Sequence, residues 1–449
     1  MNLKIYTNHV IIILFTTYFF LWEYIPAEFF GGLVENEQFN FFLLNYEDKS
    51  FLKFRPSYLI LILLIPILYN QTKKYSFSIK EIFNNQKKIL YFTTFVIIHF
   101  FLIMFIYDDN ISTSEIANIL YLIILSIIYC NYRNFIFENF NKILLISLII
   151  FVFFSFNIYN KVILYGQCQN DLFLINLIND YLKINLTNSI YLENSHMAIM
   201  MVPVLFSTLT VLKENISYKV IFSILFILLL IILFNNLSTT FFVIFFVSQI
   251  FLLIFFFKKF NNNFWIVTIL IFMTNLFIFT SDKNCTKKIS DFQSLDVLQK
   301  KLDKTSYREG KVVKNSTTLI YERSIIIALE TLKNRPLGWG IDGMDNATHN
   351  LLNKPQYNNA HVLVKQLNFK DGLSNSLKMI TEFGILSIIT LYFFFKYIFN
   401  IKKINSYNIF IIILFVAMCV RGVGYFSGGF IFCLFEFIYL NQKFLIKKI

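Results

Sequence analysis

Charge is scarce in this chain. Only 15% of its 449 residues are Asp, Glu, Lys or Arg, where a soluble domain carries about a quarter. With 57% hydrophobic residues and a mean hydropathy of +0.61, this excludes a water-soluble globular protein. Strand-like alternation is missing too: Ile11–Leu21, Val220–Phe234 and Phe241–Phe257 are continuous apolar runs, which argues against a lipid-facing barrel. Five cysteines (Cys130, Cys168, Cys285, Cys419, Cys433) show no zinc-like spacing, so a cysteine-built metal site is not expected. No Walker loop, dinucleotide glycine fingerprint, HExxH or DxD occurs. A nucleotide-driven enzyme is therefore disfavoured, no cofactor or metal is expected, and energy for any bond formation must come from the substrate. The first apolar run lacks a small-residue cleavage site and reads as a retained helix.

What remains is an all-α polytopic membrane protein. Twelve apolar segments fit, at 9–25, 52–69, 89–107, 116–131, 143–159, 191–212, 220–234, 241–257, 264–280, 377–399, 409–425 and 427–440, and they read as helices crossing a core about 30 Å thick. The chain divides into helices 1–9 over 1–280 with an outer loop at 160–190, a polar insert over 281–376, and helices 10–12 over 377–449. Lys73, Lys74, Lys80, Lys87, Lys88, Arg133, Lys142, Lys213, Lys219, Lys258, Lys259, Lys402, Lys403, Lys443, Lys447 and Lys448 fall on one set of connectors. Glu35, Glu37, Glu47, Asp48, Asp108, Asp109 and Glu115 fall on the other. The basic set marks the cytoplasmic side, which places both termini in the cytoplasm and the 281–376 insert outside.

The insert holds fifteen Lys/Arg against ten Asp/Glu. A basic segment at an outer membrane surface suits anionic lipid phosphates or pyrophosphates rather than nucleic acid. Within it, Phe292–Leu302 reads as helical. So does Tyr321–Leu332, with Ile325, Ile326, Ala328, Leu329 and Leu332 as an apolar stripe. NRPLGWG (334–340) reads as a helix end and a flexible turn. Cys168 and Cys285 share the outer side, and the sequence leaves open whether they are bonded or two free thiols.

Ionisable groups within membrane helices are costly and mark function. Arg421 is placed roughly 18 Å along a helix beginning near Ile409. It acts either on an anionic substrate or in a structural pair with Glu382 or Glu436. Glu193 and His196, at i and i+3, project from one helix face. His99 reads as a packing histidine. In the insert, Glu322, Arg323, Arg335, Asp342, Asp345, His349 and His361 form a third group. Arginine grips pyrophosphate bidentately, and histidine takes a proton from a sugar hydroxyl. Each of these is also what a solvated loop would carry.

Five stretches carry a resemblance: ENSHMAIMMVP (193–203), ERSIIIALETLKNRPLGWG (322–340), HN (349–350), LNFKDGLSNSLKMITEFGIL (367–386) and VRGVGYFSGGF (420–430). In these and in the late outer insert the chain resembles the O-antigen polymerase (Wzy-type) family, and more loosely the O-antigen ligases. The resemblance implies a GT-C-like, metal-independent glycosyltransferase of lipopolysaccharide biosynthesis in the bacterial inner membrane. It would act on undecaprenyl-pyrophosphate-linked oligosaccharide, with membrane lipid and a chain-length regulator protein as further partners. On matching positions it implies His349, Arg421 and Arg323 as catalytic residues. Arg335, Glu193, His196, Asp371, Glu382 and Tyr425 become substrate-binding residues. The competing readings are a ligase that transfers finished polymer to lipid A–core and a flippase for lipid-linked oligosaccharide.

Overall fold

The structure is a computed structural model. It describes residues 2–20, 63–64, 66–67, 87–107, 113–155, 194–213, 218–235, 239–281, 316–354, 374–401, 404–422, 424–425 and 429–439. The 52–69 span, the 160–190 loop, Phe292–Leu302, Cys168, Cys285, Glu193, His361 and Asp371 lie wholly or largely outside these residues.

The described chain is helical throughout. The helices are α1 (Asn2–Phe20), α2 (Lys87–Tyr107), α3 (Thr113–Ser155), α4 (Asn194–Val211), α5 (Lys219–Asn235), α6 (Thr239–Phe256) and α7 (Asn262–Ser281). They continue with α8 (Ser316–Asn334), α9 (Met344–Leu352), α10 (Asn375–Phe383), α11 (Ser387–Asn400), α12 (Ser406–Val420) and α13 (Phe430–Tyr439). Among the described residues, four stretches are long and apolar enough to cross a membrane: Lys87–Tyr107, Glu115–Val152, Thr240–Lys259 and Asn375–Asn400.

The core sits around α12. It packs against α4 most extensively, and also against α3, α6, α10 and α13. Ile409–Met418 and the facing Met197–Val211 of α4 are buried without interruption. A helix that is apolar all round belongs inside other helices, and these two have no solvent or lipid face. Their neighbours do. Tyr91, Ile98, Phe101 and Phe105 on α2, Phe246, Ile250 and Ile254 on α6, and Ile266, Leu270, Met273 and Phe277 on α7 are exposed. Such bands of outward aromatic and aliphatic side chains suit hydrocarbon rather than water. The molecule is a helical membrane protein.

Two expectations are corrected here. Segments 116–131 and 143–159 are not separate: α3 runs unbroken for 43 residues, about 65 Å at 1.5 Å per residue. The 132–142 connector therefore drops out, and Arg133 and Lys142 leave the charge argument for orientation. Arg133 is buried instead. Its Nε donates to Glu436 Oε1 at 3.0 Å and its Nη2 to Oε2 at 3.2 Å. The Tyr407 hydroxyl donates to the same carboxylate, and the Tyr439 ring lies 4.4 Å from the guanidinium. Glu436 is thus the partner of Arg133 rather than of Arg421. The second correction concerns the 409–425 segment, because α12 stops at Val420 and leaves Arg421 as its C-cap.

Candidate functional site

The site lies where α8, α10 and the C-terminal end of α12 meet. The final carbonyls of a helix have no intrahelical partner, and here side chains supply one. The Ser374 and Ser376 hydroxyls donate to Cys419 O at 2.6 and 2.8 Å, and the Tyr321 hydroxyl of α8 donates to Val420 O. Asn375 then clamps the chain beyond: its Oδ1 accepts from Gly424 N at 3.1 Å and its Nδ2 donates to Gly424 O at 3.3 Å. Gly422 permits this approach, since a Cβ there would stand 2.2 Å from Asn375 Oδ1. The LSNS and VRGVG motifs are therefore two halves of one joint. Replacing Asn375 by Ala leaves the buried N–H and C=O of Gly424 without partners. A cost of about 1–3 kcal/mol is expected, read as a lower Tm in detergent; an unchanged Tm would mean that the joint does not depend on Asn375.

A second joint ties the NRPLGWG turn to EFG. Trp339 N donates to Thr381 O at 3.0 Å, Gly340 N to Glu382 O at 2.9 Å and Ile385 N to Pro336 O at 2.9 Å. The turn is not flexible, because its backbone is stitched to the end of α10. Gly338 and Gly384, at φ +87° and +54°, let the two main chains touch. His99 is buried as expected and stacks on Phe383, with ring centroids 5.0 Å apart. Its Nε2 also lies 2.8 Å from Leu337 O, so it fixes the turn to α2.

Between the joints lie the charged groups. Lys378 Nζ is 3.6 Å from Glu382 Oε1 and 3.7 Å from Asp342 Oδ1. Glu382 is fully buried and also accepts from Met344 N at 3.4 Å. Asp342 sits at φ +64°, a left-handed position that Asp tolerates better than most residues. Tyr425, buried, places its ring 5.3 Å from Lys378 Nζ and its hydroxyl beside Glu382.

Arg421 and Arg323 are both buried, at 4% and 3% exposure. Burial lowers Arg323 to about 10, so it stays cationic at neutral pH. Arg421 acts electrostatically on Tyr321, two residues from Arg323 on α8, opposing the upward push of burial on that phenol. Burial also raises the Glu322 carboxyl.

The candidate residues thus divide. Arg421, Glu382 and Tyr425 are buried where the joints meet, and Arg323 is buried on α8, two residues from the Tyr321 that bonds the end of α12. Arg335 stands at the edge of this buried assembly, its guanidinium 4.0 Å from the Tyr107 ring and 3.8 Å from that of Trp339, so aromatic groups already use its face. His349 is solvent-facing on α9, with its side chain 65% exposed and Nε2 3.6 Å from Asp345. It is not part of the buried assembly. His196 falls within α4. Lys378 and Asn375 were not singled out from sequence. The i, i+4 spacing of Lys378 and Glu382 was the available signal, and it is common on any helix. Compared with family models, curated proteins and solved structures, the chain matches none.

Proposed function

We propose that the chain polymerises undecaprenyl-pyrophosphate-linked oligosaccharide repeat units into surface polysaccharide. The reaction is metal-independent and runs on the periplasmic face of the bacterial inner membrane. The observation that carries the reading is the buried Arg421 at the helix end where the LSNS, EFG, LGWG and VRGVG motifs converge, with a second buried arginine, Arg323, on the adjoining α8. Buried guanidinium groups keep their charge and present a planar fork, which suits a diphosphate whose negative charge grows as it leaves. An acceptor hydroxyl would attack the anomeric carbon, the bond to the pyrophosphate would break, and the hydroxyl proton would pass to a general base, a role the resemblance gives to His349 although its side chain stands outside the buried assembly. Orientation rests on connectors near the insert: Lys258 and Lys259 precede α7, and Lys402 and Lys403 follow α11. Both pairs favour the cytoplasm, which leaves the α8–α10 region on the other side.

Arg421 also has a structural reading, since a cation at a helix C-terminus is favourable. Substitution separates the two. Arg421→Lys keeps the charge at the helix end but loses the fork. Polymer formation is expected to fall roughly 10–100-fold, the worth of a hydrogen bond to a charged group, with normal protein in the membrane. His349→Ala is expected to cost at least ~100-fold. The measurement is the ladder of polysaccharide lengths in a strain lacking the native gene. Long chains with both variants would sink the reading. A full ladder held on the lipid carrier with none on lipid A–core would indicate the ligase.

A further inference from the structure

Helix α8 has two apolar faces, and its packing uses only one. Ile320, Ile327 and Ala328, with Arg323, Ser324 and Thr331, are buried on the side that meets α9 and α10. The sequence-expected stripe is mostly on the other side: Ile325, Leu329 and Leu332 are 38%, 62% and 41% exposed. At i, i+4 and i+7 they form one narrow band along the helix.

What covers the band follows from what it joins. Leu332 and Pro336, at the end of α8, line one apolar groove of about 490 Å³ together with Ile385, Ile388 and Leu391. Ile388 and Leu391 lie on α11, within the membrane-crossing stretch Asn375–Asn400. Ile385 and Ile388 are themselves more than half exposed. The outward face of a spanning helix is where lipid sits, and that face continues across the groove onto α8. Lys333 and Asn334, both exposed, give α8 the polar flank of an interfacial helix.

We propose that α8 is a membrane-surface helix whose Ile325–Leu329–Leu332 band lies in the acyl chains of the bilayer that α11 crosses. The occupant is bilayer lipid rather than a second copy of the chain, because the band is continuous with a lipid-facing span.

The test uses the full chain in phosphatidylethanolamine–phosphatidylglycerol vesicles, with a photo-crosslinking amino acid placed in turn at Leu329, Leu332, Ile388 and Asn346. Ile388 is the lipid-facing control. Asn346, exposed on α9, is the control for the helix surface away from the band. After irradiation, lipid adducts are expected at 329 and 332 at levels comparable to 388 and several-fold above those at 346. Adducts at 388 alone, or a crosslinked dimer from 329 and 332, would overturn the proposal. Reading two positions on the band keeps the result independent of how well either variant folds.

Discussion

Glu436→Ala is expected to destabilise the protein by about 3–5 kcal/mol, the cost of leaving one member of a buried ion pair behind. The Arg133 guanidinium, 3% exposed, would lose both of its hydrogen bonds to the carboxylate and the Tyr407 hydroxyl would lose its acceptor. The double variant Arg133→Met/Glu436→Leu removes the charges together and is expected to recover most of the loss, since an apolar replacement of a buried pair is often neutral. Thermal unfolding in detergent measures both. A double variant no more stable than the single would show that the charges themselves are indispensable.

Gly384→Ala is expected to cost more than 4 kcal/mol, in the range reserved for direct steric conflict. A Cβ there would stand 2.0 Å from Pro336 O, a backbone atom that cannot swing aside. Gly340→Ala is the control. Its φ is also positive, at +82°, but its Cβ would meet only the Ile103 side chain at 3.5 Å. It should show strain alone, about 1–3 kcal/mol. The difference between the two isolates the contact of the LGWG turn with α10. Equal losses of stability would mean that the seam is not tight.

The apolar spans were legible because composition alone defines them: α2 and α4 to α7 fall within a few residues of the expected segments. The middle of α3 was not. Arg133 and Lys142 read as part of a polar connector, yet the helix continues through them, and Asn131 and Asn139 donate to it at Ile127 O and Phe135 O. The group that compensates Arg133 lies 303 residues away. Local sequence cannot separate a polar loop from a helix whose polar groups find distant partners. The helix at Tyr321–Leu332 was legible, but which of its faces packs was not. Its buried face is built partly from Arg323, Ser324 and Thr331, whose burial is settled by tertiary contacts, while Ile325, Leu329 and Leu332 of the apolar stripe face outward. The motif residues of the candidate site were visible one stretch at a time, but their convergence was not. Asn375 and Gly424 must be 49 positions apart in sequence and in contact in space.

The Arg133–Glu436 pair also sets a timetable for synthesis. At ~5–20 residues per second, Glu436 leaves the ribosome roughly 15–60 s after Arg133. During that interval α3 carries a guanidinium whose final counterion does not yet exist. A charge of this kind is expensive within a bilayer, so the newly made helix has reason to linger at the insertion machinery or the headgroup boundary. Completion of this part of the bundle then waits for α13, and the last helix described here closes what one of the first began.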